Sequence, residues 1–459
     1  MRNKSAGVTS GKSGNQPRSK RAMPSRRSKG GLLARVNFPL YTLQMLTSRH
    51  VLVGGGGGSS KTGVANGFEI FELFHDGVQF VAEEVTRHET GPSVVMNCAS
   101  HNDGKRTVVV AGQESHCQLY NVNMKIINLE NGEVAKGSVT GSGTAGLRQR
   151  RRSERDDAER EKEKLKQERV EEVVDSNSNV RHKKLQLVIK PADSIQTDFS
   201  KIEPLQRIVR VSPTGKYMAT GGTDGCVRLW KFPHMTKVHE MIGHTKEIDD
   251  MDFSPGGESL ATIAKDGKGF IWDVASGEKR KELCWAVPEG TKYMYKRCRF
   301  RLVEEDKART QLFILSNSTS SKNLSFLQLW DADGGVVLKS APYKETLSAL
   351  AVSDNGRFVA VGTMFSGNVD IFIAFSLQRV LHVPGAHSMF ITGLEFLPTK
   401  LDGPAITSNT EAAVVSISVD NRICVHSIPF RHTLPFWIVI VLIVLSIFGA
   451  FVVCSYLGI

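Results

Sequence analysis

Cysteine pairing is what this sequence most plainly lacks. Seven cysteines are scattered over 459 residues, and no two of them stand at Cys-x-x-Cys spacing. The odd number and the scatter argue against a disulfide framework, and the missing spacing argues against a zinc site. A reducing compartment fits this use of cysteine. The seven are Cys98, Cys117, Cys226, Cys284, Cys298, Cys424 and Cys454.

The first 30 residues lack acidic side chains and an apolar centre. They carry nine Lys or Arg residues, so the net charge of +12 falls to +3 when they are left out. A stretch rich in Ser, Gly and Pro with little to bury predicts a basic, disordered tail over residues 1–35. The missing apolar centre excludes a secretory signal. Contact with anionic lipid or nucleic acid, or a targeting role, stays open beside a plain solvated tail.

The last 26 residues, Leu434 to Ile459, lack any charge. A helix of that length spans roughly 39 Å, more than the hydrocarbon core of a bilayer at about 30 Å. Trp437 and Tyr456 stand near its ends, where amphipathic rings favour the membrane interface. Basic residues, including Arg422 and Arg431, precede the segment and none follow it. The sequence therefore predicts one transmembrane helix over 434–457, with the preceding chain in the cytosol.

The middle of the chain contains a repeat with a period of 42 residues. Val209 begins VRVSPTGKYMATGGTDGCVRLWKF, and Met251 begins MDFSPGGESLATIAKDGKGFIWDV. The two align without gaps, and each shows apolar alternation, a turn, more alternation and then Asp-x5-Trp. This pattern is typical of four-stranded propeller blades of the WD-repeat type. Weaker copies predict seven blades between about Val36 and Pro429, with six as the alternative because the unit from Cys284 to Asp331 is distended.

The fold class predicted is thus all-β: a seven-bladed WD-repeat β-propeller over 36–430, followed by the single C-terminal transmembrane helix. Resemblance to WD repeats implies that His244, Asp266 and Trp272 form a structural hydrogen-bonded set, so these residues are not candidates for catalysis. A charged segment over about 132–184 interrupts the repeats. It has no coiled-coil seam and is interpreted as a solvated insertion in a blade loop, with partner binding as the alternative.

A glycine-rich stretch, Val51 to Leu73, reads VLVGGGGGSSKTGVANGFEIFEL. It resembles a phosphate-binding loop, but the residue before Lys61 is Ser60, where that loop needs glycine. The residues that follow indicate a strand, whereas a phosphate loop requires a helix there. The sequence therefore argues against nucleotide binding by this loop, and Lys61 is interpreted as loop surface. Two alternatives remain: a long flexible turn, or a cage in which glycine carbonyls converge on a cation.

Further motifs extend from this stretch across the propeller. They include AGQESHCQLY from Ala111, IQTDFS from Ile195, FIAFSLQ from Phe372 and AHSMFITGLEFLP from Ala386. Together with the single membrane helix, they resemble the family of endoplasmic-reticulum guanine nucleotide exchange factors that includes the prolactin regulatory element-binding proteins. The resemblance covers nearly the whole chain from about Asn37. It does not cover residues 1–30 or the charged insertion.

That resemblance implies a function for the glycine-rich loop. Members of the family activate a Sar-type small GTPase at the endoplasmic reticulum membrane to start COPII vesicle coats. The loop is implied to project from the propeller, to be shaped by a bound potassium ion and to enter the GTPase near its nucleotide. The family's functional asparagine falls on Asn66, and Val64 takes the apolar position before it. The carbonyls of Gly54, Gly55, Gly56, Gly57 and Gly58 are the candidate potassium ligands.

Two other classes of function remain as alternatives. One is a non-catalytic propeller scaffold on the same membrane. The other is a nucleic-acid-binding regulatory protein, which the basic tail suggests and which the +3 balance of the remaining chain weakens. No recognisable motif places a nucleophile beside a base, so an enzyme with a covalent mechanism is disfavoured. The sequence gives neither the exchange rate nor the role of the charged insertion.

Overall fold

Seven four-stranded antiparallel sheets contain all 28 strands found in the described part of the chain. The computed structural model describes residues 30–59, 63–104, 106–129, 182–287, 290–303, 310–320, 322–399, 406, 410–430 and 436–458. The first strands of neighbouring sheets contact one another around a closed ring. The arrangement is a seven-bladed β-propeller, which confirms the prediction from the repeats.

The strands follow the chain around the ring, four to a blade. Blades 1 to 3 consist of β2 Leu40–Met45, β3 His50–Gly55, β4 Gly67–His75 and β5 Phe80–Glu89; β6 Asn97–Asn102, β7 Thr107–Gln113, β8 His116–Leu129 and β9 His182–Gln196; and β10 Gln206–Val211, β11 Tyr217–Gly222, β12 Val227–Lys231 and β13 Thr236–Met241.

The second half of the ring has the same plan. Blades 4 to 6 consist of β14 Ile248–Phe253, β15 Ser259–Ala264, β16 Gly269–Asp273 and β17 Lys279–Glu282; β18 Tyr293–Arg301, β19 Gln311–Ser318, β20 Ser325–Asp331 and β21 Val336–Tyr343; and β22 Leu347–Val352, β23 Phe358–Thr363, β24 Val369–Ile373 and β25 Arg379–Val383. Blade 7 consists of β26 Ile391–Phe396, β27 Thr410–Ser418, β28 Arg422–Pro429 and the N-terminal strand β1 Gly30–Arg35.

Blade 7 is completed from both ends of the propeller sequence. β1 pairs antiparallel with β28, from Gly30 opposite His426 to Arg35 opposite Arg422. Residues 30–35 were expected in the tail, whereas the structure places them in this sheet. The physical reason is that β1 joins the N-terminal end of the propeller sequence to the C-terminal strand β28, so backbone hydrogen bonds within blade 7 hold the ring closed. The described part of the propeller therefore includes residues 30–35.

The hydrophobic core is divided among the spaces between blades. Seven clusters of buried side chains occur, and each is shared by one pair of neighbouring blades. Strands near the ring axis are buried on both faces, as in β3 and β15, and the outermost strands β17 and β21 are mostly exposed. Burial of apolar surface between blades, at about 25 cal/mol per Å², is what holds the ring closed.

The connections alternate between the two ends of the ring, because successive strands are antiparallel. Loops from the second to the third strand of a blade emerge at one end, together with loops that lead from the fourth strand into the next blade. The glycine-rich segment joins β3 to β4, so we call this end the glycine-loop face. The charged insertion joins β8 to β9 at the opposite end, and its residues 130–181 lie outside the described part of the chain.

One helix follows the propeller, α1, Phe436–Leu457. Its residues Trp437–Leu457 have a mean hydropathy of 3.0, and none of this stretch is buried against the rest of the protein. A fully exposed apolar helix of 21 residues is long enough to cross a bilayer. The helix agrees with the predicted transmembrane segment. β28 ends at Pro429 on the face opposite the glycine loop, so the chain leaves the propeller there.

Candidate functional site

The glycine-rich loop begins inside a strand and leaves the sheet at Gly56. Gly54 and Gly55 belong to β3, and both are paired with β2 on one side and β4 on the other. A side chain on Gly55 would overlap the carbonyl oxygen of Pro39, and one on Gly56 would overlap the amide of Asn66. Gly56 also has a φ of +142°, which side-chain-bearing residues rarely adopt. The close approach of neighbouring backbone explains why glycine occupies these two positions.

Asn66 closes the loop at its other end. Its side chain is 5% exposed. The Oδ1 atom accepts a hydrogen bond from Gly58 N at 2.9 Å, and Nδ2 donates to the oxygens of Gly58 at 3.1 Å, Gly91 at 3.0 Å and Pro92 at 3.1 Å. The Asn66 carbonyl also accepts from Thr90 N at 3.0 Å. One amide therefore joins the two ends of the loop and ties them to the connection between β5 and β6.

Val64 lies on the side of the loop that faces the propeller. It is partly buried and packs against the hydrophobic cluster shared by blades 7 and 1. Gly63, beside it, is exposed with a φ of +76°. Ser60, Lys61 and Thr62 lie outside the described residues, so the surface position predicted for Lys61 stays a prediction. The structure brings Asn66 and Val64 together at the base of the loop, and both side chains support its position.

The strand predicted after the loop is present as β4, Gly67–His75. It pairs with β3 over its first six residues and with β5 along its whole length. Gly67 has no room for a side chain, because a Cβ would overlap the carbonyl oxygen of His88. The loop is therefore a connection between two strands. This geometry confirms the expectation that no helix N-terminus faces it.

Backbone oxygens gather at the base of the loop. The carbonyls of Gly58, Gly91 and Pro92 lie within 3.0–3.1 Å of the same nitrogen, Asn66 Nδ2. Gly54 and Gly55 lie in the ladder of blade 1, so of the five candidate potassium ligands only Gly56, Gly57 and Gly58 lie beyond the sheet. In the described residues no group of three or more His, Cys, Asp or Glu could hold a metal. A cation at this loop would rest on backbone oxygens.

The set predicted at His244 is structural, as expected. His244 Nδ1 lies 3.2 Å from Asp266 Oδ2, and its Nε2 lies 2.9 Å from Thr262 Oγ1. Trp272 Nε1 donates to the same hydroxyl at 2.8 Å. Burial lowers the pKa of His244, although Asp266 opposes the shift. A neutral, fully hydrogen-bonded histidine at the core of blade 4 holds the blade together.

Thr262 was missed in the sequence, and a spacing signal could have found it. Trp272 follows Thr262 by ten residues, and Trp230 follows Thr220 by the same interval and donates to it at 2.8 Å. Blade 7 has an equivalent pair, in which His426 lies 2.8 Å from Ser416. A hydroxyl ten residues before the Trp position is thus the acceptor in blades 3, 4 and 7. In blade 5 Ser320 stands at that spacing, but Trp330 Nε1 has no partner among the described residues.

Comparisons with known proteins agree with this architecture. The family model for the WD domain, G-beta repeat, matches residues 207–231 and 235–273, which fall in blades 3 and 4. The chain is 34% identical over 429 residues to the guanine nucleotide-exchange factor SEC12 of Mus musculus. That match covers 91% of this chain and 95% of the mouse protein. The SEC12 protein of Rattus norvegicus matches at the same identity and coverage.

A more distant relative matches over part of the propeller. SEC12-like protein 1 of Arabidopsis thaliana is 28% identical over 207 residues, which is 43% of this chain and 47% of the plant protein. The mammalian matches extend through nearly the whole chain, so they include the glycine-rich loop as well as the repeats.

Proposed function

The chain belongs to the SEC12 family of guanine nucleotide-exchange factors, and we propose that it acts on a Sar-type small GTPase at the endoplasmic reticulum to start COPII vesicle formation. The observation that carries the proposal is a 34% identity spread over 91% of the chain. Exchange requires a small GTPase as partner. The apolar helix α1 supplies a single membrane anchor, and the propeller lies on the cytosolic side.

Nucleotide exchange follows from differential binding. A factor that binds the nucleotide-free GTPase more tightly than the nucleotide-bound form lowers the affinity of the GTPase for nucleotide by the same factor. No bond of the protein is made or broken in such a mechanism. The propeller suits this role because its closed ring holds one loop in a fixed place. The bonds of Asn66 limit the motion of that loop before the partner arrives.

In this proposal Asn66 and Val64 act by positioning the loop. Asn66 fixes both ends of the segment from Gly58 onward, and Val64 packs its return path against the core. The loop held in this way is the part proposed to contact the GTPase. Pre-ordering matters because a loop that must become ordered on binding loses part of its binding free energy to conformational entropy.

The exchange activity is tested with the full chain in lipid vesicles. We expect release of labelled GDP from a Sar-type GTPase to accelerate with the concentration of the protein. A Rab-type GTPase, treated identically, is the control and is expected to release GDP at its spontaneous rate. Equal, unaccelerated release from both GTPases would contradict the exchange proposal and leave a membrane-anchored scaffold as the remaining function.

We also propose that the carbonyls of Gly56, Gly57 and Gly58 hold a potassium ion. Glycine carbonyls without carboxylates are a donor set that suits a weakly hydrated monovalent cation. The Gly58, Gly91 and Pro92 oxygens accept hydrogen bonds from Asn66 Nδ2, so several backbone oxygens lie close together at the loop base. This concentration of oxygens supports an ion nearby. A bound ion would stiffen the loop by joining several carbonyls.

The cation proposal predicts that the rate of proteolysis in the loop depends on the monovalent cation, and this rate can be measured without an exchange assay. Tryptic cleavage after Lys61 is expected to be several-fold slower in potassium chloride than in sodium or lithium chloride at equal ionic strength. The exchange rate should follow the same order. Cleavage elsewhere in the chain serves as the internal control for the protease. Equal cleavage after Lys61 in all three salts would contradict the ion.

A further inference from the structure

Exposed apolar side chains are distributed unevenly between the two faces of the propeller. Among the large, exposed apolar residues of the described loops, nine lie on the glycine-loop face and three on the opposite face. The nine are Met96, Phe199, Ile202, Ile242, Val287, Leu324, Phe365, Met389 and Phe390. The three on the opposite face are Val78, Phe375 and Phe430. Single exposed apolar residues are common on any protein surface, but their concentration on one face is typical of a surface that binds a partner protein, a ligand or a membrane.

Two connections of the glycine-loop face each carry a pair of exposed apolar residues, and the more exposed of the two pairs is Phe199 and Ile202. Phe199 is 54% exposed and Ile202 is 82% exposed. Both belong to the segment 198–205, which joins β9 of blade 2 to β10 of blade 3. We call this segment the ledge. It begins with Asp198, Phe199 and Ser200, the last three residues of the motif IQTDFS, to which the glycine loop gives no role.

A buried carboxylate holds the ledge in place. Asp198 is 0% exposed. Its Oδ1 accepts hydrogen bonds from Ser200 N at 3.0 Å and Thr223 Oγ1 at 3.1 Å, and its Oδ2 accepts from Asp224 N at 3.1 Å. Thr223 and Asp224 belong to the turn between β11 and β12. The ledge is therefore anchored to blade 3 beneath it.

The exposed aromatic ring is also fixed. Phe199 N donates to Asp224 Oδ2 at 3.2 Å, and the Arg228 guanidinium lies 4.8 Å from the centre of the Phe199 ring. Arg228 in turn pairs with Asp224 at 2.7 Å. A large apolar side chain held in one position in water loses little conformational entropy when a partner covers it.

The ledge is connected to the glycine loop through blade 2. Asn66 bonds to Gly91 and Pro92, at the start of the connection that leads into β6. Behind that connection, Asn97 of β6 exchanges hydrogen bonds with Gln206, the first residue after the ledge. The Ser115 oxygen, in the turn between β7 and β8, accepts from Thr197 N and Asp198 N. A hydrogen-bonded series of loops thus runs from the glycine loop to the ledge.

We propose that the ledge is the second contact for the GTPase, with Phe199 and Ile202 as its apolar anchors. The proposal rests on the exchange function proposed above. Specific protein interfaces bury about 800 Å² on each partner and involve about 20 to 30 residues a side, which one loop of eleven residues does not supply. Rigid apolar and aromatic residues near the centre of such an interface carry most of its binding free energy. The ledge supplies affinity, and the glycine loop acts at the nucleotide.

The test uses the full chain in vesicles, with Ile202→Asp and Phe199→Ala as separate variants. Each is expected to raise the GTPase concentration for half-maximal exchange about tenfold, the size typical of an interface anchor. The maximal rate is expected to remain that of the wild type, because the glycine loop is intact. Val78→Asp and Phe375→Ala on the opposite face are matched controls of similar exposure, 89% and 61%. Both are expected to behave as the wild type.

The outcomes separate the two proposals. If the wild type does not accelerate GDP release, the exchange function fails and the ledge fails with it. If the wild type accelerates release and Ile202→Asp leaves the half-maximal concentration unchanged, the ledge alone is overturned. Loss of folding cannot imitate the effect, since the Ile202 side chain is mostly in solvent and an unfolded variant would lower the maximal rate. The melting temperature of each variant provides the check.

Discussion

Blades 4 and 1 hold the connection between their second and third strands with different hydrogen-bonding groups, a carboxylate in blade 4 and an amide in blade 1. In blade 4 the Asp266 carboxylate collects donors: His244 Nδ1 at 3.2 Å, Thr245 N at 3.0 Å and Lys268 N at 2.9 Å. In blade 1 the Asn66 amide donates to three carbonyls and accepts from one backbone N–H. The carboxylate turns N–H groups inward around a short turn, whereas the amide turns carbonyl oxygens inward around a long one.

The comparison shows how the connection between the second and third strands of a blade can be a short structural turn in one blade and a candidate binding loop in another. The four-residue turn Lys265–Lys268 is held by backbone hydrogen bonds to Ala264 and Glu247 and by the Asp266 carboxylate. In blade 1 the Asn66 amide fastens a longer segment, from Gly56 to Asn66, by hydrogen bonds to Gly58 at one end and to the connection between β5 and β6. Blade 7 keeps the carboxylate arrangement of blade 4, with His387 Nδ1 3.1 Å from Asp420, but it has His426 in place of tryptophan.

The largest expected effect on the rate of GDP release comes from replacing the Asn66 amide by the carboxylate that blade 4 uses. Asn66→Asp keeps the acceptor for Gly58 N but sets a negative charge against the oxygens of Gly58, Gly91 and Pro92. The loop is expected to shift, and a loss of about 3 kcal/mol in transition-state stabilisation lowers the exchange rate about 100-fold. The rate of GDP release at saturating GTPase measures it.

The reciprocal change, Asp266→Asn, is the matched control. It removes acceptors from the turn of blade 4, so it should lower the free energy of unfolding by about 1–2 kcal/mol and leave exchange by the folded protein unchanged. Urea unfolding followed by tryptophan fluorescence measures the stability. Equal loss of exchange activity in both variants would contradict the claim that the Asn66 loop serves exchange while the Asp266 turn serves stability.

Much of the fold could be predicted, because each blade repeats a local pattern. The positions of Trp230, Trp272 and Trp330 on third strands followed from spacing along the sequence, and so did the strand after the glycine loop. The closing strand β1 could not be found in this way. Its partner β28 is almost 400 residues away in the sequence. Its own six residues directly follow a basic, polar stretch, so they were assigned to the predicted tail.

The candidate site was predicted less completely, for the same physical reason. The family resemblance pointed to Asn66, but its partners Gly91 and Pro92 lie 25 and 26 residues later in another connection. No local pattern reveals that an amide will be buried between two loops. The glycines were interpreted as carbonyl ligands, which stays a prediction. The structure adds a second reason for glycine at two of them, because a side chain on Gly55 or Gly56 would overlap Pro39 or Asn66.

The smallest effect concerns the tryptophan position, where blade 7 departs from blade 4. His387 Nδ1 donates to Asp420, so its Nε2 accepts from the Ser416 hydroxyl, which in turn accepts from His426 Nε2. In this order His426 donates through Nε2. Its Nδ1 is buried without a partner among the described residues, which favours the neutral ring. Burial lowers the pKa of His426 to about 3.

Acid should therefore weaken blade 7 through His426. Between the unfolded pKa near 6.5 and the folded value of about 3, the unfolded chain binds the extra proton, so the free energy of unfolding falls as the pH is lowered. Going from pH 7 to pH 5 should cost about 2 kcal/mol. Urea midpoints across this range measure the change in stability.

The double variant His426→Trp with Ala386→Gly should remove that part of the pH dependence, because it reproduces the arrangement of Trp272 and Gly243 in blade 4. The glycine is needed because a Cβ at Gly243 would stand only 2.9 Å from the indole. An unchanged slope in the paired variant would place the acid sensitivity in His244 and His387, the pKa values of which burial also lowers, and blade 7 would then resemble blade 4 in this respect.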